Sequence, residues 1–317
     1  MQGGVNPPFL NLGNLMFYRS TSYIFLLEVK MMINKSYKHW MIVFLMCCLA
    51  ASSIGLCTNA IGVFYTPVSK SLHVLKGTFA MHATLSTLIT ALTSLKMSKL
   101  IRKYNYKKIL LIGVLLSSVS TWMMSYSRSV YLFYILGILR GIGVGIGGMV
   151  PITVIITNWF DEKHGLATGL ALSFSGLAGA IFSPLLSSWI ISYGWQMTYR
   201  LMASCIPILV LPVLIVPWKI NPQEEGMLPY GYQEKKDTIK IQNKKVNLIT
   251  ISFICMCIFT LLHTSITGIS QHLSGIALII HLSATSGAIL MSLTMIGNIS
   301  TKLLIGFLSD LLNPIKA

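Results

Sequence analysis

Eight runs of mainly apolar residues, separated by short polar breaks, dominate the chain. A helix needs about 20 such residues to cross a bilayer, and the runs fall near residues 40–64, 77–96, 108–126, 130–157, 165–190, 201–218, 247–268 and 283–308. This pattern predicts an all-α, polytopic membrane helix bundle. The second run is the most polar, with His82, Thr84, Ser86, Thr87, Thr90, Thr93 and Ser94, a composition that suits a helix facing protein or a water-filled path better than one facing lipid. Residues 1–39 carry Gly3, Gly4, Pro7 and Pro8 and lack the long apolar region and cleavage site of a signal peptide, so they read as a disordered extension. Met31 and Met32 stand just before a basic lead into the first run. Residues 1–31 are therefore either a tail or sequence upstream of the true start.

Composition agrees with the pattern. Of 317 residues 54% are hydrophobic and 10% charged, where a soluble domain carries about a quarter charged. The net charge of +16, from 24 Lys and Arg against 8 Asp and Glu, raises nucleic acid as a partner. The basic residues sit between the apolar runs, however, where a nucleic-acid binder would need them on one water-exposed face. Nucleic acid is excluded and the lipid bilayer is the partner. With the N-terminus inside, thirteen Lys and Arg fall in inner loops (at 96, 99, 102, 103, 107, 108, 163, 219, 235, 236, 240, 244 and 245) and four in outer loops (at 70, 76, 128 and 200). The positive-inside rule then predicts a multi-pass protein of the cell membrane with a cytoplasmic N-terminus. All six cysteines lie within apolar runs at spacings that do not close around zinc, and no metal or cofactor is expected.

The longest polar break, residues 219–246, follows the sixth run and reads as a cytoplasmic linker between a first six-helix half, 40–218, and an incomplete second half, 247–317. A parallel repeat of six helices predicts that the segment after helix 2 recurs after helix 8. Residues 98–108 and 306–316 share Leu at the third place, Asn at the eighth and Lys at the eleventh.

On these residues the sequence resembles the major facilitator superfamily, whose segment between helices 2 and 3 reads Gly-x-Leu-x-Asp-x-x-Gly-Arg-Lys and returns between helices 8 and 9. Gly306, Leu308 and Asp310 match it; in the first copy Ser98 replaces the Gly and Arg102 the Asp. The resemblance implies that these segments gate the transport path, through a carboxylate latch that the first copy lacks. Arg140, Gly141, Gly143 and Gly145 resemble the Arg and glycine run of the family's helix 4. Gly137, Gly141 and Gly145 also repeat every four residues, which favours helix packing over a gating role. Asn158-Trp159-Phe160-Asp161-Glu162-Lys163-His164-Gly165, then Gly169, Gly176 and Gly179, and the run Gly226-Met227-Leu228-Pro229-Tyr230-Gly231 together resemble the oxalate/formate antiporter and monocarboxylate transporter branch. A complete member has twelve helices, so the eight runs read as a chain truncated after helix 8.

That branch implies a small carboxylate held between two helical halves, and this requires a buried cation. Lys302, four residues before Gly306, is the candidate, standing where the branch presents an Arg; the bland reading is a Lys snorkelling to the interface. Asn298, one turn earlier, and Asn59 in the first run are further candidate ligands, as is the intramembrane Arg140. Asn59 serves equally well as an interhelical hydrogen bond, and for Arg140 a functional and a non-functional role stand even. None of the eight acids lies deep in a run, so anion exchange is favoured over proton symport. His82 and His263 remain as candidate proton carriers, though such residues are more often packed. The function expected is secondary transport of small mono- or dicarboxylates by alternating access, as a monomer or weak oligomer. The rival readings are a truncated remnant that does not transport and a membrane-embedded enzyme. The enzyme is disfavoured because no cluster of His and acids forms a site.

Overall fold

The structure is a computed structural model and describes residues 37–232, 250–270 and 272–312; a few side chains between 252 and 288, that of His263 among them, lie outside that description. Residues 1–36 and 233–249 lie outside it as well, so the expected extension and most of the expected linker are not addressed. The chain divides into two compact units, Met1–Met41 and Ile42–Ala317. Of the first only helical residues 37–41 are described, and apart from that first turn of a helix everything below concerns the second.

Eight long helical segments are present among the described residues: α1 (Tyr37–Ser71), α2 (Lys76–Lys103), α3 (Tyr106–Met124), α4 (Val130–Trp159), α5 (164–193), α6 (195–215), α7 (Ile251–Ser270) and α8 (Ala284–Leu311). A short helix, Leu273–Ile279, lies between the last two. The protein is an all-α polytopic membrane bundle. The spans Tyr37–Ser71, Tyr106–Met124, Val130–Trp159, His164–Ile215 and Ile289–Leu311 are each long and apolar enough to cross a membrane; α2 is not among them, which follows from its hydroxyl-rich sequence.

Local chemistry accounts for the breaks. Gly148, in extended backbone, splits α4 into Val130–Gly147 and Met149–Trp159. Gly194, at φ 80, turns the chain between α5 and α6, a conformation open to glycine at little cost. Asn105 starts α3 by accepting the Lys107 backbone N–H at 3.1 Å, a normal N-cap bond. Nothing halts α2 before that cap, so Ser98 and Arg102, expected in a loop, lie exposed in its last two turns. Gly306 and Asp310 likewise belong to α8 itself. Within α1, residues Ala51–Asn59 are π-helical, the Ala60 N–H reaching back to Gly55 O at 3.1 Å.

The glycine repeat of α4 packs against α2. A Cβ on Gly137 would lie 2.7 Å from His82 O, one on Gly141 2.4 Å from Ser86 O, and one on Gly145 2.7 Å from Thr93 Cβ. Thr90 Oγ1 donates to Gly141 O at 3.0 Å across the same contact. These glycines thus do what small-residue stripes do in bundles, bringing two backbones together.

Two sequence motifs meet at one end of the bundle. The Tyr230 N–H donates to Trp159 O at 2.8 Å, and the N–H groups of Asp161 and Glu162 donate to Tyr230 O at 3.0 Å each. Trp159 Nε1 donates to Lys219 O at 3.1 Å, Asn158 Nδ2 donates to Asn221 Oδ1 at 2.9 Å, and the Lys163 ammonium lies 5.8 Å from the Tyr230 ring centroid. The segment after α6 therefore straps the turn between α4 and α5.

The α2–α4 contact gives a direct expectation. Gly141→Ala places a methyl against the Ser86 carbonyl and is expected to destabilise the protein by about 1–3 kcal/mol, the usual cost of overpacking. Gly77→Ala, where a Cβ meets nothing within 4 Å, serves as the control with little change. Thermal unfolding of the two purified variants in one detergent checks both outcomes.

Candidate functional site

The candidate site lies along the seam where α8 packs on α5. Small residues let the two helices touch at the end nearest the start of α5. A Cβ on Gly169 would lie 2.6 Å from Lys302 O, and one on Gly306 2.5 Å from Gly165 O. Farther along, Ser292 Oγ donates to Ala180 O at 2.8 Å.

At the start of α5 the first backbone N–H groups have no partner within their own helix. The Asp310 carboxylate supplies one from α8: the Gly165 N–H donates to Oδ1 and the Leu166 N–H to Oδ2, both at 2.7 Å. Both oxygens are thus engaged with the positive end of the α5 dipole, an arrangement that favours an anion. A Cβ at Gly165 would fall 2.5 Å from the backbone Gly306 O, so only glycine fits this junction. His164, just before it, pairs through Nε2 with Thr157 Oγ1 at 2.8 Å.

Two turns deeper, the half-buried Lys302 reaches across the seam. Its ammonium donates to Leu172 O at 3.2 Å and to Ser175 Oγ at 2.8 Å. Ser175 is fully buried and passes its own proton to Leu172 O at 2.7 Å. From the third side Asn59, the last residue of the π-helical stretch in α1, donates through Nδ2 to Ser175 O at 3.0 Å. Asn298 Oδ1 is buried without a hydrogen-bond partner among the described residues, and it lies 3.4 Å from where a Gly176 Cβ would stand. Three of the four sequence-derived candidates for substrate binding, Lys302, Asn298 and Asn59, thus converge on residues 172–176 of α5. Thr294, a turn before Asn298, bonds within its own helix, to Met291 O at 2.7 Å.

Arg140 stands apart. It is 1% exposed, its Nη1 lies 3.9 Å from Met124 Sδ, and its Nε has no partner among the described residues. His82 is fully buried, with Nδ1 2.6 Å from Phe79 O and its ring against Phe79, Phe133 and Tyr65. Ser175, which joins Lys302 to Asn59, is the residue that sequence reasoning passed over. Its only signal is that it lies three residues from Leu172 on the face carrying Gly169, Gly176 and Gly179.

An ammonium with a third N–H to offer, held beside two amides at a helix seam, can take up one carboxylate. Comparison with known proteins identifies the family. A family model for the Major Facilitator Superfamily matches residues 47–317. Over 169 residues the chain is 25% identical to the uncharacterised MFS-type transporter YcxA of Bacillus subtilis, covering 53% of this chain and 41% of that protein. It is 33% identical over 82 residues to the riboflavin transporter RibJ of Trypanosoma cruzi, covering 26% of this chain and 17% of that one. It is 27% identical over 138 residues to human monocarboxylate transporter 14, covering 43% and 27% respectively. The chain spans less than half the length of each of these relatives. The match along most of its length, on a bundle of this architecture, shows that the chain belongs to the Major Facilitator Superfamily.

Proposed function

We propose that the protein takes part in secondary transport of small organic anions by alternating access, exchanging one carboxylate for another, with residues 40–218 and 247–317 as the two moving bodies and 219–246 as the link between them. The observation that carries this reading is the Lys302 ammonium, bonded across the seam to Leu172 O and Ser175 Oγ. A carboxylate that takes Lys302 as its partner competes with those two bonds, which are part of what holds α8 to α5. Binding energy is thereby coupled to loosening the seam, as alternating access requires: a ligand shifts a conformational equilibrium only through its different affinity for the two states. Asn298 and Asn59 stand beside the cation as polar contacts. The enclosure of His82 by aromatic rings and the lack of an acid deep in any apolar run favour exchange over proton symport.

In this reading the Asp310 carboxylate on the start of α5 is the latch of the closed end, and Gly165, Gly169 and Gly306 permit the close fit. The basic residues near that end support a cytoplasmic N-terminus in a cell membrane. The riboflavin transporter among the relatives supplies the competing substrate class.

Proteoliposome uptake of labelled oxalate, formate, lactate, pyruvate and riboflavin tests the proposal. Carboxylate uptake accelerated by preloaded carboxylate is expected, and Lys302→Ala should weaken apparent affinity roughly 10- to 100-fold, the effect of losing one charged hydrogen bond. Lys302→Arg should keep much of it. Riboflavin uptake without carboxylate uptake, or carboxylate uptake indifferent to Lys302→Ala, overturns the assignment. Uptake that requires an inward proton gradient refutes exchange in favour of symport.

The latch has a separate readout. Asp310→Asn keeps the shape and removes the charge, a loss of about 1 kcal/mol for an anion at a helix N-terminus. Spin labels at Asp161 and Leu312 in a cysteine-free background should then show a several-fold larger population at long distance. An unchanged distance distribution means that Asp310 only caps α5.

A further inference from the structure

Arg140 presents a problem that the transport site does not solve. A guanidinium stays protonated in proteins, and a buried charge is strongly unfavourable unless it is paired. Arg140 is 1% exposed, yet its recorded contact is to the Met124 thioether sulfur, a weak acceptor, and its Nε has no partner among the described residues. The described carboxylates are held elsewhere: Asp310 at the start of α5, Glu224 and Glu225 by Asn221 and Lys219, and Asp161 and Glu162 in the turn strapped by Tyr230.

Beside Arg140 is a cavity of about 60 Å³, lined by Arg140 together with Cys57 and Thr58 of α1 and Ser86, Thr87 and Thr90 of α2, among others. None of its lining residues belongs to the Lys302 cluster. A single water needs about 10–15 Å³ by the same kind of measure, so the cavity accommodates one small ion with a water or two. An organic substrate pocket begins at about 300 Å³. Thr58, Thr87 and Thr90 donate their hydroxyl protons to Ser53 O, Ala83 O and Gly141 O. The donors facing the cavity are therefore the guanidinium, the Ser86 hydroxyl, which makes no hydrogen bond to the described residues, and the Cys57 thiol. A positive charge with neutral donors and no acid is a receptor for an anion.

We propose that Arg140, with Ser86 and Cys57, binds a small monovalent anion of halide size, which serves as the counter-ion of the buried guanidinium between α1, α2 and α4. This site is separate from the carboxylate site and does not depend on the transport reading. A bound anion stabilises the folded protein in proportion to the logarithm of its concentration once its dissociation constant is exceeded. The thermal unfolding midpoint of the purified full chain should therefore rise when gluconate is replaced by chloride or bromide at constant ionic strength.

The decisive comparison uses four proteins. The wild type should show the rise; Ser86→Ala, which keeps the guanidinium, should need about tenfold more halide for half the effect, as for a lost hydrogen bond to a charged group; Lys302→Ala should behave as wild type; and Arg140→Met should show no rise at all. If Arg140→Met does not fold, the Ser86→Ala shift together with an unaltered Lys302→Ala response carries the test. A wild type indifferent to halide overturns the proposal. So does a response that survives in Arg140→Met, or one that disappears in Lys302→Ala.

Discussion

A helix that begins against a neighbour rather than in water must find partners for its first N–H groups, and in this protein the partner comes from another helix. Asp310 of α8 occupies the start of α5 with both carboxylate oxygens. The rest of the seam is arranged around that contact. Its register places Gly306 against Gly165, Lys302 against Leu172 and Ser175, and Ser292 against Ala180. Successive contacts climb α5 as they descend α8, so the two helices run antiparallel with one charged anchor at the end and one charged reach in the middle. The anchor needs a full negative charge at a helix dipole, while the reach needs a flexible cation, and neither can take the other's place.

The two copies of the loop motif illustrate how much depends on that sign. Where the second copy has Asp310, the first has Arg102, and Arg102 is exposed at the end of α2. A guanidinium cannot accept from backbone N–H groups, so the arrangement at Asp310 has no counterpart there among the described residues. Lys107, further along, instead donates to Val216 O and lies 5.6 Å from the Trp218 ring centroid. The basic end of the first copy thus serves to seat the chain leaving α6.

Much of the architecture was legible because membrane helices announce themselves by length and apolarity, and among the described residues each of the eight runs falls on a helical segment, with ends displaced by as much as two turns, chiefly where polar turns of helix continue past the apolar stretch. Lys302 and Asn298 were legible as a family spacing on one helix, and Asp310 as a motif residue expected in the loop after it. Their partners were not. Ser175 is one hydroxyl among several in α5, and only the crossing of three helices distinguishes it. The pairing of Trp159 with Tyr230 joins two stretches that the sequence presents separately, and a single isolated bridge between Phe160 and Tyr230 leaves no periodicity to read. Arg140 was visible as an intramembrane charge, but whether it faces substrate, lipid or a small cavity between helices depends on the glycine stripe that draws α2 over it.

The π-helical stretch of α1, Ala51–Asn59, also left no trace in composition. A π turn holds more residues than an α turn, and such turns occur often at functional sites. Asn59 closes the stretch and meets Ser175 from there. The segment therefore acts as a reservoir of chain length: removal of one residue upstream of Asn59 can be absorbed by tightening a π turn to an α turn, leaving the amide facing α5. Insertion of one residue must open a further α turn into a wider and weaker π turn, or it swings everything beyond it around the helix axis. For this helix, shortening and lengthening by the same amount are unequal changes.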